Sequence, residues 1–310
     1  MTETGATGDT DRPPEPHTAL VVEGGAMRGV FSTGVLDAFL EREFNPFDLC
    51  FGVSAGATNV AAYLAQMPKR NFRVYTDYSL RPEFVSVLRF LRGGHLMDLD
   101  WLWEITIREL RLNIDTILTA ESRFYMALTR VRDGRAVYAR PQARNLEQML
   151  KASSAMPVFY RGFVPIPGLE TENRLESEQG VDEHGELFVD GGLADPIPAI
   201  EAHRMGARRI MVLRSRPRAY RMKPRGPNLL LRRALRSHPE LLACISKRPE
   251  RYNRALEFMR NPPTGCEVLE VNPPKEFESS RLTRDRAALE RDYRRGLETG
   301  AEIVRRWRGA

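Results

Sequence analysis

Ser54 stands at the centre of Gly52-Val53-Ser54-Ala55-Gly56, directly after the apolar run Leu49-Cys50-Phe51. A strand that turns sharply into a helix with serine at its apex holds the hydroxyl out at the carboxyl edge of a sheet. There it can attack an acyl carbon, and the crowded backbone of such a turn demands small flanking residues. An attacking serine also needs a base to take its proton and donors to stabilise the oxyanion that forms. Glu23-Gly24-Gly25-Ala26-Met27-Arg28-Gly29 can supply the donors: the N–H groups of Gly25 and Ala26, at the mouth of a helix, would point at one anion-favouring spot. Asp190, in Asp190-Gly191-Gly192 after the apolar run Leu187-Phe188-Val189, brings a carboxylate to the same rim; the competing reading is a plain Asp-Gly turn. The first glycine turn also has a rival reading as a dinucleotide phosphate loop, with Asp48, nineteen residues after Gly29, as the ribose acid. Ala26 at the middle glycine position of that pattern weakens it.

The elements that must deliver these groups are outlined by apolar periodicity. Thr18–Val22 reads as a buried first strand. Phe31, Val35, Ala38, Phe39 and Arg42 mark one face of the following helix, which Asn45-Pro46 closes. Ala57, Val60, Ala61, Leu64 and Met67 repeat at helical spacing behind Ser54, and Pro68 stops the run. This strand–turn–helix, strand–turn–helix opening predicts an α/β fold, a three-layer α/β/α arrangement around a mainly parallel sheet, with the site at the carboxyl ends of the strands. Residues 69–122 are mostly helical in pattern, broken at Gly93-Gly94. Residues 83–103 could form a lid or an acyl-binding wall, or equally core helices. A hairpin over 123–140 turns at Asp133-Gly134, and a short helix over Leu146–Leu150 ends at Ser153-Ser154-Ala155-Met156-Pro157. A polar stretch spans 170–186, a helix lies around Ile200 and His203, and a strand covers Ile210–Leu213. Residues 215–240 read as a loop-rich insertion. Leu282, Leu289, Tyr293, Leu297, Gly300, Val304 and Trp307 lie on one stripe of a terminal helix.

With 310 residues and 42% hydrophobic content, the chain can bury a sizeable core, and no apolar run is long enough to span a bilayer. Residues 1–17 read as a disordered leader with no secretory pattern, 18–213 as the catalytic domain, and 214–310 as a basic insertion with C-terminal helices packed on it. Cys50, Cys244 and Cys266 are odd in number and widely spaced, which suits idle thiols in a reducing cytoplasm. A metal site is not expected, since no His/Asp/Glu cluster has ligand spacing. Net charge is +6, and arginine is dense from Arg204 to Arg260, as in Arg214-Ser215-Arg216-Pro217-Arg218. A solvated face explains this most simply. An anionic membrane surface comes second and nucleic acid is not expected, because stacking aromatics are sparse there.

Taken in order, the blocks Glu23–Gly29, Gly52–Gly56 and Asp190–Gly192 make the chain resemble the patatin-like phospholipases, most of all the bacterial ones. Ala152–Pro157 and Asp292-Tyr293-Arg294-Arg295-Gly296 resemble further blocks of that family. The resemblance implies a lipid acylhydrolase with a Ser-Asp dyad and no cofactor: Ser54 as the nucleophile that carries the acyl group, Asp190 as the general base. It further implies Gly24, Gly25 and Ala26 as the oxyanion hole and Arg28 as a contact to a lipid phosphate, with Gly29, Gly52, Gly56, Gly191 and Gly192 as motif glycines. Ala26 stands where many members carry a third glycine, and serves if its φ is negative. The implied substrate is a lipid or acyl ester, and the implied place is the cytoplasm, with peripheral membrane contact left open. Two other readings stand beside it. One is a Ser54-Asp190-His203 triad of the α/β-hydrolase order; the other is a catalytically idle lipid-binding scaffold.

Overall fold

The computed structural model describes residues 17–157, 159–169 and 185–308. The expected leader, and nearly all of the polar stretch with His184, lie outside the described residues. The chain opens as β1 (His17–Val22), a 3-10 turn over Ala26–Gly29, α1 (Val30–Leu40), β2 (Leu49–Val53) and α2 (Ala55–Leu64). Short helices α3 (Arg70–Arg73), continued by a π-helical turn, and α4 (Val87–Leu91) precede α5 (Leu99–Leu110) and α6 (Ile114–Thr119). The hairpin is β3 (Arg123–Arg130) with β4 (Ala136–Ala139), and α7 (Leu146–Ser154), β5 (Val164–Ile166) and β6 (Glu186–Asp190) follow. The chain then runs through α8 (Ala199–Arg204), β7 (Ala207–Leu213), α9 (Leu229–Ala234), α10 (Pro239–Arg260), β8 (Glu267–Val271) and α11 (Arg286–Arg308). Leu282 precedes the terminal helix and is exposed, so it is not part of the docking stripe.

The strands join in one sheet of order β5-β6-β3-β2-β1-β7-β8, with β4 pairing β3. The pairs β3/β2, β2/β1, β1/β7 and β7/β8 are parallel, while β4 and β6 meet β3, and β5 meets β6, antiparallel. Alternation along β1 shows why both faces are covered. Leu20 and Val22 enter the apolar cluster that holds α1, α2 and α7, whereas Ala19 and Val21 enter the one built on α8 and α10. This is the expected three-layer α/β/α architecture.

One detail of pairing decides where the site forms. Residues 126–129 of β3 pair with β4, and 126–127 and 128–129 also pair with β2 and β6 respectively. A strand has two flanks, so β2 and β6 share the flank opposite β4. The strand β2 runs parallel to β3 up to Val53↔Ala127, and β6 runs antiparallel up to Leu128↔Asp190. Their carboxyl ends therefore meet head to head. Asp190 arrives at the rim from outside the parallel sheet, not as the end of another parallel strand.

On one face α1 and α11 cross closely. A Cβ on Gly34 would lie 2.2 Å from the Tyr293 carbonyl oxygen, and one on Gly296 would lie 2.3 Å from that of Phe31. The helix contact therefore has no room for side chains at the crossing, and Tyr293 closes it by donating from its hydroxyl to Asp37 (2.8 Å). Gly34→Ala is expected to lower the unfolding free energy by about 1–3 kcal/mol through overpacking. Urea unfolding of the purified variant checks this, and an unchanged midpoint refutes the close crossing.

Candidate active site

Ser54 takes φ 54° and ψ −127°, a conformation that L-residues avoid, at the junction of β2 and α2. Packing holds it there. A Cβ on Gly56 would lie 2.3 Å from the Val22 carbonyl oxygen, so the turn can pass under β1 only with glycine at that position. The N–H of Ser54 donates to Ser153 Oγ (2.9 Å), which in turn donates to the Ala127 carbonyl (2.9 Å). The small-residue block at the end of α7 thus clamps the serine turn onto β3. The same block holds the acid, because the Asp190 N–H donates to the Ala155 carbonyl (3.1 Å).

Ser54 Oγ donates to Asp190 Oδ2 at 2.8 Å. The other carboxylate oxygen, Oδ1, accepts the Gly192 N–H at 2.8 Å, which orients the group. Asp190 is 2% exposed, and burial pushes its carboxyl above the usual range. The bonds from Ser54 and Gly192 and the charges of Arg248 and Arg281 oppose that rise. The outcome is a carboxylate more basic than an exposed one and already in contact with the hydroxyl.

The glycine turn after β1 lies against the serine: a Cβ on Gly24 would come 2.8 Å from Ser54 Cβ. Among the described residues no acceptor takes the N–H of Gly24, Gly25 or Ala26. Ala26 has φ 50°, contrary to the negative φ expected for an alanine there. The turn must reverse between β1 and the 3-10 segment within three residues, and that forces a left-handed backbone.

Behind the turn lies a buried ionic cluster. Arg214 is fully buried; its Nε donates to Glu23 Oε2 (3.0 Å), one terminal nitrogen to Tyr252 Oη (2.8 Å) and the other to Glu270. Glu23 also accepts from the Ser215 N–H (2.8 Å) and the Tyr252 hydroxyl (3.0 Å). Ser215 Oγ donates to the Gly24 carbonyl (2.9 Å). Arg28 donates from Nε to the Ser215 carbonyl (3.0 Å) and from a terminal nitrogen to Ser215 Oγ (3.4 Å); burial and Arg216 push its guanidinium down to about 10. Arg214 is therefore no part of a solvated basic face.

These groups share a cleft of about 790 Å³. One wall is apolar, with Phe84, Met97, Leu99, Leu102 and Trp103 from the 83–103 segment, joined by Phe159. Phe84, Leu99 and Leu102 are also core residues, so the segment both lines the cleft and packs into the core. Arg216, Arg248 and Arg281 also line the cleft. His203 does not line the cleft. Its Nδ1 faces the Ala207 carbonyl (3.1 Å), and its ring packs against Phe258. Asp48 immediately precedes β2 and lies beside His17, so it sits at the amino end of the strands, opposite the glycine turns. The two glycine turns and Asp190 are brought together; His203 and Asp48 are not. All three cysteines are free and buried.

Sequence reasoning missed Ser153, Arg214, Ser215, Tyr252, Arg248 and Arg281. A signal existed for the second and third: they follow an expected strand, and parallel pairing of that strand with β1 would put its carboxyl end beside Glu23.

A serine bonded to a buried acid, beneath free N–H donors on an α/β/α sheet, has the parts of an acyl-transfer centre. Comparison with known proteins names the group. The sequence pattern of the patatin-like phospholipases matches residues 20–203, and the chain belongs to that family, a membership that supports lipid acyl hydrolysis as its class of activity. A second pattern, a domain of unknown function (DUF6363), matches residues 238–309. The chain is 36% identical over 294 residues to the uncharacterized protein YjjU of Escherichia coli (strain K12), covering 93% of this chain and 78% of that protein. VipD from Legionella pneumophila aligns over 93% of this chain and 67% of its own, at 14% identity and a TM-score of 0.42.

Because Ala26 holds a backbone that favours glycine, Ala26→Gly is expected to raise stability by about 1 kcal/mol. Ester hydrolysis should persist, since only the N–H is used. Thermal unfolding alongside an esterase assay checks both.

Proposed function

We propose that the protein cleaves fatty-acyl esters of lipids through a covalent acyl-Ser54 intermediate, with Asp190 as the sole base. The observation that carries this reading is the 2.8 Å bond from Ser54 Oγ to Asp190 beneath three unsatisfied N–H donors. As Ser54 Oγ attacks the acyl carbon, its proton passes to Asp190 and the oxyanion is met by the N–H groups of Gly24, Gly25 and Ala26. The positive end of α2, which begins at Ala55, adds to the same field. Asp190 returns the proton to the leaving alcohol. Water then gives a proton to Asp190 and attacks the acyl-serine; as the bond from Ser54 Oγ to the acyl carbon breaks, Asp190 returns that proton to Oγ and the fatty acid is released. Among the described residues no histidine takes part: Ser54 reaches the acid directly, and His203 faces Ala207. Arg28 holds Ser215, and through it the glycine turn, while its side chain borders the cleft where a lipid headgroup would lie.

Hydrolysis of p-nitrophenyl esters tests the dyad. Ser54→Ala and Asp190→Asn are each expected to lose at least ~10³-fold in kcat, with a fluorophosphonate labelling wild type and not Ser54→Ala. His203→Ala should stay close to wild type; a loss of comparable size there restores the triad reading. Activity needs ionised Asp190, so it falls as pH drops through that group's pKa. Burial raises this pKa, so the acid limb should lie above the ordinary aspartate value of 3.8. If wild type neither hydrolyses esters nor reacts with the probe, the scaffold reading replaces this one.

We further propose that the cleft works against an anionic bilayer. Val87, Leu88 and Leu91 on α4 are 63%, 57% and 75% exposed, and Leu229 on α9 is 83% exposed. The described residues of 156–163 lie near both helices: Arg161 lies over the Phe90 ring and donates to Gly93, while Phe163 and Leu231 pack against the same apolar cluster. Met156 and Phe159 of that segment line the cleft, so both apolar tips flank one rim. Exposed Arg232, Arg233 and Arg236 add positive charge beside α9. Among the described residues no helix is long and apolar enough to cross a membrane. Co-sedimentation with vesicles should increase with anionic lipid and weaken with salt and in Leu88→Asp/Leu229→Asp. Binding indifferent to all three removes the membrane reading.

A further inference from the structure

We propose that Arg216, Arg248 and Arg281 form an anion subsite that takes the phosphate of a phospholipid while its acyl ester lies at Ser54. This rests on the acyl-hydrolase reading and names the substrate class that reading leaves open.

The charge pattern of the cleft carries the inference. Eight cationic side chains line it against two carboxylates, Glu23 and Asp190. Both acids already have other partners, and two negative charges leave the eight cations in excess. Glu23 is engaged by Arg214, Ser215 and Tyr252, and Asp190 by Ser54 and Gly192. Among the described residues no carboxylate forms an ion pair with Arg216, Arg248 or Arg281. These three nevertheless converge. Arg248 donates from Nε to the Gly192 carbonyl, beside the base, and Arg216 lies over the Tyr220 ring at 4.4 Å. Arg281 feels both as like charges, and with burial they hold its guanidinium below the usual arginine range. Like charges gathered in a half-buried pocket are an arrangement that an incoming anion relieves. Guanidinium groups suit a phosphate, whose oxygens accept parallel N–H bonds.

Position narrows the class further. Arg248 and Arg281 both act on the Asp190 carboxylate, so an anion held by them lies close to the reacting serine. In a glycerophospholipid the phosphate is only a few bonds from the acyl ester, whereas a neutral glyceride presents no anion there. The apolar wall of Phe84, Met97 and Trp103 lies in the same cleft to take the chain. Arg28 is the less suitable holder, since it is buried and its Nε and one terminal nitrogen are spent on Ser215. Arg248 and Arg281 belong to the segment that matches the domain of unknown function, which thereby acquires a role in selecting substrate charge.

The test compares octanoyl lysophosphatidate with octanoyl glycerol as substrates for wild type, Arg281→Gln, Arg281→Lys and Arg216→Gln. Each glutamine variant should raise KM for the lysophosphatidate by about tenfold, the factor one charge-assisted hydrogen bond supplies, with kcat little changed. KM for the glyceride should change far less than KM for the lysophosphatidate, thermal unfolding at the wild-type temperature shows that the variants fold, and Arg281→Lys should recover part of the loss. Inorganic phosphate should compete with the lysophosphatidate in wild type and far less in Arg281→Gln. Competition by it marks a subsite that reads phosphate alone; its failure to compete marks one that requires the attached lipid. Loss of the Arg281 charge raises the acid limb on both substrates, so the comparison is made well above it, where equal losses on both substrates overturn the proposal and make Arg281 a positioning residue for Asp190. Equilibrium binding of the lysophosphatidate to Ser54→Ala separates the two claims. Binding that depends on Arg281 supports the subsite even where wild type hydrolyses nothing, and binding indifferent to Arg281 overturns the subsite whatever the enzyme hydrolyses.

Discussion

The guanidinium of Arg214 lies wholly out of contact with solvent and donates to Glu23, Glu270 and Tyr252 at once. Burying that charge is costly, and burial alone would lower its pKa, yet the two carboxylates and the phenol raise it above the ordinary arginine value. The cluster joins the end of β1, the end of β7, α10 and β8, which lie far apart in the chain. Removing one partner would strand the others in a low-dielectric site, a loss of about 3–5 kcal/mol in comparable buried pairs. The position of the cluster gives it a second consequence. Glu23 is the last residue before Gly24, and Ser215 follows Arg214 and accepts from Arg28 while donating to Gly24. The turn that presents the N–H donors is therefore held from behind by ions, not by its own sequence.

That support has to be rigid, because the turns it backs are strained. Ser54 and Ala26 both have positive φ, a conformation that costs roughly 1–3 kcal/mol per residue and persists only where the surroundings over-determine it. For Ser54 the surroundings are the close passage of Gly56 under β1 and the Ser153 hydroxyl, which bonds both the serine N–H and β3. For Ala26 they are the ionic cluster and the start of α1. Strain at these two points aims a hydroxyl and a set of N–H groups at one volume, which a relaxed loop would not do.

The carboxylate bonded to Ser54 is set by the same geometry. Asp190 reaches Ser54 because β6 abuts β2 on one flank of β3, and this buries the carboxylate. Burial raises its basicity, and nearby arginines keep the rise in check. The cleft then divides by chemistry. Aromatic and aliphatic side chains from 83–103 contribute to its lining, as do arginines drawn largely from the C-terminal segment.

The sequence alone was enough for the local events. Gly52-Val53-Ser54-Ala55-Gly56 and Glu23–Gly29 announce strand–turn–helix units because only glycine tolerates the close passages they make, and alternating burial in β1 announces a sheet covered on both faces. Even the alliance of Ser54 and Asp190 was legible, as two reactive groups each ending an apolar run. The route by which they meet was not, since strand direction and the sharing of one flank of β3 are properties of pairing between distant segments. Arg214 shows the limit most clearly. In the sequence it is one more arginine in a basic stretch, and nothing local separates it from Arg216 or Arg218. Tertiary structure decided that it would be buried, because Glu23, Tyr252 and Glu270 converge on it from three other elements. A charge can leave water only where such partners await it, and their convergence exists only in the folded chain.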